Sequence, residues 1–225
     1  MELILARLGE AGYEWIETMF GNPPRDRECL DRMGVSCYAT HIALSLLPDL
    51  GDLTNFCHQM DAKVVCISGL LQWNERGADD YRRSADALNT LGHHLNDEGL
   101  TLQYHNHEFE FALVEGEATG MDLLLFGLDP EVVSLCVDAG WASLAGHDPV
   151  AFMLQHPDRI GTVHLRDFKG AKSVPLGRGD LDLKSTIAVL PKLPSAQVVL
   201  VEQDPGTADP VGDMIGSLRF LEGIL

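Results

Sequence analysis

The sequence predicts an α/β fold, a (β/α)8 barrel of the TIM type that lacks its opening strand. Three observations predict it. Short β-branched or aliphatic runs alternate with helix-length segments, as βαβ units and a parallel sheet require. Strand after strand then finishes in polar residues: Thr40 and His41, His105 and His107, Asp138, His164, Glu202. Barrel sites are built from the C-terminal ends of strands, so this placement is informative. Finally, neither GxGxxG nor GxxxxGK(S/T) follows any of the runs, which removes the main support for an open dinucleotide- or phosphate-binding sheet.

The elements follow in order. A helix over residues 2–10 closes at Gly12; because a full barrel begins with a strand, the first strand is absent or the chain is a fragment. Strands are expected at 13–18, 35–42, 63–68, 101–107, 132–137, 161–165 and 197–202, each rich in Val, Ile, Leu or aromatic residues. Helices are expected at 52–60, 79–96, 121–126, 149–155, 183–189 and 211–221. The clearest is 79–96, where Tyr81, Ala85, Leu88, Leu91 and Leu95 recur at three- and four-residue steps. No repeat, low-complexity tract or linker interrupts the pattern, so residues 1–225 read as one barrel domain.

A chain of 225 residues is long enough to bury a sizeable core. Sixteen Lys and Arg against 34 Asp and Glu give a net charge of −18. Such a surface repels phosphates and anionic headgroups, so neither nucleic acid nor a membrane is an expected partner. The five cysteines, Cys29, Cys37, Cys57, Cys66 and Cys136, are an odd number without a CxxC pair. Three of them sit in apolar strand runs, which fits a reduced, cytoplasmic setting. No apolar run of membrane-spanning length is present.

Four strand ends carry metal-ligating chemistry. In Tyr104-His105-Asn106-His107 the two histidines are two apart, so on a continuous strand both would face one side. Val137-Asp138, Val163-His164 and Val201-Glu202 each place one polar side chain after an apolar run. Together His105, Asp138, His164 and Glu202 form a mixed nitrogen and oxygen donor set suited to Mn²⁺, Zn²⁺, Co²⁺ or Fe²⁺. Each also has a plain structural reading: a histidine satisfied by a carbonyl, an Asx turn at Asp138, a loop cap at Glu202. It is their recurrence over successive strands that favours a site. Trp141 and Trp73 could stack on a sugar ring or fill the core. Arg166, Asp167 and Lys169 could orient substrate hydroxyls, and Arg178 lies in a Gly177-Arg178-Gly179 loop of the kind that closes over barrel ligands. His93 and His94 read as a solvated part of a helix, and with no GxSxG present, acyl transfer has no support.

At these residues the chain resembles the xylose isomerase-like barrel superfamily, in particular its sugar phosphate isomerase/epimerase group, which includes inosose dehydratases. The resemblance is carried by residues 104–111, 137–141, 161–167, 175–179 and 201–204, in the family's order and spacing, and runs over nearly the whole chain. It implies a divalent metal held by Asp138, His164 and Glu202, with His105 where many members carry a glutamate that is both ligand and base. That departure weighs against the epimerase mechanism built on two glutamates and towards members acting on inososes or keto-sugars. His41 matches a frequent pocket histidine; His107, Trp141, Arg166 and Arg178 are the further substrate-binding candidates. The implied chemistry is proton transfer beside a carbonyl through an enediolate, with Glu202 or His105 as base. Isomerisation, epimerisation and dehydration by loss of a β-hydroxyl all fit. Phosphodiester cleavage, as in the related AP endonucleases, predicts a basic DNA track that the charge opposes. A non-catalytic carbohydrate-binding protein on an incomplete barrel is the remaining alternative. An unclosed edge would be covered by a second chain, giving a homodimer.

Overall fold

Seven of the predicted runs pair side by side as parallel strands of one sheet in the computed structural model, which describes residues 2–21, 27–196, 198–204 and 208–225. The chain begins with α1 (Glu2–Ala11), β1 (Trp15–Met19), α2 (Arg27–Met33) and β2 (Ser36–Ala43). There follow α3 (Leu50–Met60), β3 (Val64–Ser68), α4 (Ala78–Asp97) and β4 (Thr101–His105). A small hairpin, β5 (Leu113–Glu115) with β6 (Ala118–Thr119), leads into α5 (Gly120–Gly127) and β7 (Val133–Asp138). Helices α6 (Ala139–Leu144) and α7 (Pro149–Gln155) precede β8 (Ile160–Leu165). A second hairpin, β9 (Asp167–Lys169) with β10 (Lys172–Val174), is followed by α8 (Leu183–Val189), β11 (Val198–Val201) and α9 (Pro210–Glu222).

The large sheet runs β1-β2-β3-β4-β7-β8-β11 and curls into a nearly closed barrel. Its end strands approach each other without pairing among the described residues. Across that seam α1 packs on α9, and the Tyr13 hydroxyl donates to the Met214 carbonyl at 2.8 Å.

Side chains alternate between two cores, as strands require. Outward-facing Val65, Ile67, Leu102, Leu135 and Val163 join the buried faces of the helices, such as Tyr81, Leu88 and Leu95 of α4, in one large cluster. Inside the barrel space is short and residues are small: Ala39, Val64, Cys66 and Cys136 pack together. The Tyr38 hydroxyl meets Thr162 Oγ1 at 2.8 Å across the bore. Gly161 belongs here because a Cβ at that position would lie 2.3 Å from Gln103 Nε2. All five cysteines are buried, and no disulfide forms among the described residues.

Part of the acidity sits at helix starts. Asp49, Asp148, Asp182 and Asp209 each accept a backbone N–H at the N-terminus of a helix, which satisfies an open donor and suits the positive end of the helix dipole. Among the described residues no helix is long and apolar enough to cross a membrane.

Two details depart from the sequence expectation. The strand expected over 101–107 stops at His105, so alternation does not place His107. Two polar interactions take the chain out of the sheet there: Asn106 turns to the backbone of Asp138, and the His107 N–H donates to Glu110 Oε2 at 2.8 Å. Helices α2 and α6 were not foreseen; both are short and lack a periodic apolar stripe. Of the last expected strand, Gln197 lies outside the described residues.

Candidate metal centre

Parallel pairing sets the strand ends at one level. Asp138 on β7 stands in register with His164 on β8, and His105 closes β4 beside Cys136 of β7. Glu202 follows β11 immediately, its N–H bonded to the Leu165 carbonyl at 3.0 Å. One donor atom from each of His105, Asp138, His164 and Glu202 lies within 4.8 Å of all the others.

The centre of this group is Glu202 Oε2. It stands 2.8 Å from His164 Nδ1 and 3.4 Å from His105 Nε2, and the latter is 3.6 Å from Asp138 Oδ2. His105, Asp138 and His164 are at most 2% exposed. Neither ring nitrogen of His105 has a hydrogen-bond partner among the described residues. A buried imidazole with two unsatisfied nitrogens is costly unless something else binds it. Two imidazoles and two carboxylates converging on one point fit a divalent first-row cation.

The two carboxylates are braced from behind. Asp138 Oδ1 accepts the Trp141 N–H at 2.9 Å and caps α6, while Oδ2 accepts from Arg166 Nε at 3.2 Å. Arg166 reads in the sequence as a residue for substrate hydroxyls or as part of a solvated face. In the structure all three of its guanidinium nitrogens reach carboxylates, those of Asp138, Glu202 and Asp204, and it lies over the Trp141 ring at 5.0 Å. Gly140 permits this approach, since a Cβ there would sit 2.4 Å from the Arg166 carbonyl oxygen.

The electrostatics follow from the crowding. Burial alone would lower the basicity of His105, but the neighbouring carboxylates of Asp138 and Glu202 raise it to about 9. Burial likewise opposes charge on His164, and Glu17 and Glu202 outweigh it, lifting His164 well above the usual histidine range. Burial would raise Glu202, yet His105 and His164 hold it well below the ordinary carboxylate value. His107 goes the other way: burial and the neighbouring His105 and His41 push it down to about 3, leaving a neutral ring.

Other sequence candidates gather around this point. His41, at the end of β2, has its ring 5.1 Å from that of His105. His107 lies 5.1 Å from His105 on the other side, with Trp73 edge-on to it at 5.6 Å. Glu17, His41, Ser68, Trp73, His105, His107, His164 and Glu202 all line a cavity of about 890 Å³ that runs from the barrel mouth into the seam between β1 and β11. Trp141 packs against Phe168 at 4.7 Å and beneath Arg166. Arg178 is exposed on a turn outside the cavity lining. Asp167 accepts the N–H groups of Gly177, Gly179 and Leu181 and so fixes that turn, and Lys169 pairs with Asp180. His93 is exposed, as expected.

Sequence reasoning missed four polar residues here: Glu17, Asn106, Glu110 and Asp204. Glu17 carried a signal, a lone acid within the strand run Trp15-Ile16-Glu17-Thr18. Its Oε1 lies 2.7 Å from His41 Nδ1 and its Oε2 3.6 Å from His164 Nε2. With Cys66, Glu17 and His41 form a second close group of donor atoms.

Known proteins share the fold that carries these residues. Residues 47–223 match the family described as xylose isomerase-like TIM barrel. An inosose dehydratase of Geobacillus kaustophilus is 27% identical over 258 aligned positions, covering 92% of this chain and 82% of that protein. A sugar phosphate isomerase/epimerase from Parabacteroides distasonis superposes with a TM-score of 0.84 at 19% identity, over 99% of this chain and 87% of the other. A structure of IOLI protein with a bound zinc atom superposes with a TM-score of 0.76 at 16% identity, over 100% of this chain and 92% of the other. Those structural likenesses establish the barrel.

Proposed function

Because the chain belongs to the xylose isomerase-like TIM-barrel family, we propose that it is a divalent-metal-dependent isomerase or epimerase of a sugar or keto-sugar, moving a proton beside the carbonyl through an enediolate. The observation that carries this reading is the convergence of His105, Asp138, His164 and Glu202 on one buried point, with both nitrogens of His105 unsatisfied among the described residues. These four would hold the cation, drawn from Mn, Zn, Co or Fe, and zinc is supported by the zinc-bound structural relative. A bound cation would supply Lewis-acid stabilisation of the negative charge that develops as a carbon beside a carbonyl loses its proton.

The chain's own residues do the rest. Glu202 is the only one of the four with appreciable side-chain exposure, 35%, and it lines the cavity. That exposure supports Glu202 as the base that meets a substrate C–H from the ligand shell, with His105 as the alternative. His41 and His107 line the same cavity and offer ring nitrogens to substrate hydroxyls. The neutral state of His107 lets it accept a hydrogen bond as well as donate one. Trp73, half-exposed at the mouth, offers an aromatic face for a sugar ring, whereas Trp141 packs against Phe168 and Arg166 outside the cavity lining. Arg166 holds the carboxylates in place, and Arg178 could reach the ligand only from the rim.

Dehydration of an inosose or keto-sugar on the same residues is the second reading, favoured by the inosose dehydratase relative and by His105. It shares the first proton removal and differs in what leaves next.

The test is elemental analysis of the purified protein beside Asp138→Ala and His164→Ala, followed by keto-sugars and inososes in D₂O monitored by NMR. The proposal expects near-stoichiometric metal in the parent, loss in both variants, and deuterium entering at the carbon beside the carbonyl. Loss of water from the substrate would instead select dehydration. No metal after incubation with excess Mn²⁺ or Zn²⁺, with no turnover, would leave only a non-catalytic binding protein.

A further inference from the structure

Resting on the metal-centre reading, one carboxylate outside the ligand set has a geometry that assigns it a task. We infer that Glu17 is a positioning residue of the centre, which fixes the proton on His164 Nε2 with one oxygen and orients His41 with the other.

The argument begins at His164. Its Nδ1 points to the converging donors, 2.8 Å from Glu202 Oε2, so Nδ1 is the nitrogen available to a cation. A ligating nitrogen offers a lone pair, so a neutral ring must then carry its proton on Nε2. Nε2 is buried and has no hydrogen-bond partner among the described residues. Facing it is Glu17 Oε2 at 3.6 Å, beyond hydrogen-bond length in the present arrangement, where Nδ1 and Glu202 hold each other instead. When Nδ1 binds a cation, Glu17 is the anionic acceptor already standing at the other nitrogen. Carboxylates paired in this way with the free nitrogen of a ligating histidine fix its tautomer and ring orientation.

Glu17 is itself held for this role. Its Oε1 accepts from His41 Nδ1 at 2.7 Å, which sets the orientation of a ring that lines the cavity. The register between β1 and β2 shifts between Ile16 and Glu17, and such irregularities re-aim side chains. One carboxylate thus ties a ligand candidate on β8 to a cavity histidine on β2, across a barrel whose β1 edge is unpaired among the described residues.

The experiment is a Zn²⁺ titration against a chromogenic chelator on the full chain, for the parent, Glu17→Ala and Glu17→Gln. It is paired with ¹⁵N–¹H long-range correlation spectra of the histidine rings in the Zn²⁺-loaded proteins. The inference expects Zn²⁺ affinity to fall about 10- to 100-fold in Glu17→Ala, with Glu17→Gln, which keeps an acceptor but no charge, in between. It also expects the Nε2–H signal of His164 and the Nδ1–H signal of His41 to be lost or shifted in Glu17→Ala. If the alanine variant does not fold, the isosteric glutamine variant carries the same two readouts. Parent-like affinity with an unchanged His164 tautomer in a folded variant overturns the inference while leaving the metal centre standing. A parent that binds no Zn²⁺ overturns both, and so separates the two failures.

Discussion

The side-chain amide of Asn106 clasps both backbone polar groups of Asp138: Nδ2 donates to the Asp138 carbonyl at 3.1 Å, and Oδ1 accepts the Asp138 N–H at 3.0 Å. Both residues are at most 1% exposed. This clasp joins the residue after His105 to the end of β7, so it sets the spacing of two ligand candidates. Asn106→Ala would leave two buried backbone groups without partners, at a cost of about 2 kcal/mol. Its expected outcome is a lower Tm together with a metal affinity reduced about tenfold or more, read by thermal melting and by chelator competition. Parent-like metal affinity would show that β7 holds Asp138 unaided.

Arg166 makes a different prediction, because its charge occupies the same neighbourhood as the proposed cation. It is 3% exposed and bonded to Asp138, Glu202 and Asp204. Removing one member of a buried charged group leaves the others uncompensated, at about 3 kcal/mol or more. Arg166→Met should therefore destabilise the metal-free protein strongly, and added metal should restore part of the loss. The measurement is the rise in Tm on adding Zn²⁺ or Mn²⁺, which should be larger in the variant than in the parent. An equal rise in both would mean that Arg166 and the cation do not share those carboxylates.

Why the metal-ligand candidates were legible and their supports were not has a simple physical cause. In a parallel barrel the strand ends lie at one level, so a polar residue closing each apolar run already points to a shared site. His105, Asp138, His164 and Glu202 were readable for that reason. The supports depend on partners distant in the chain, as Asn106 does on Asp138, or on a residue type with many uses, as Glu17 is. His107 shows the limit from the other side: it reaches the site, yet through a turn made by Asn106 and Glu110 and not through strand alternation.

Glu110 supplies a test of stability against pH. It is fully buried, accepts from the Tyr104 hydroxyl at 2.6 Å and from the His107 N–H, and burial raises its carboxyl to about 7 against partial opposition from those bonds. A carboxyl whose value is higher in the folded state binds its proton more tightly there. Its contribution is thus complete below about pH 4.5 and is lost as pH rises through about 7. The swing is on the order of 3 kcal/mol. Glu110→Gln keeps the shape and cannot ionise, so its stability should fall less than the parent's between pH 5 and 8 in urea titrations. Parallel pH profiles would contradict the assignment.

Asp167, though adjacent to Arg166, acts on the loop and not on the centre. It is 1% exposed, and its Oδ2 accepts the Gly177 and Gly179 N–H groups at 3.0 and 2.8 Å while Oδ1 accepts that of Leu181 at 3.1 Å. Gly179 has no room for a side chain, since a Cβ would lie 2.1 Å from Asp167 Oδ1. The carboxylate thereby holds the turn bearing Arg178 against the start of β9. Asp167→Ala would strip three amides of their acceptor, so hydrogen exchange at Gly177, Gly179 and Leu181 should quicken about tenfold or more, in step with roughly 1.5 kcal/mol or more of lost local protection. Metal affinity should stay near the parent value, because no donor of the centre is touched. If metal affinity fell with the loop's protection, this turn would have to be counted among the supports of the site.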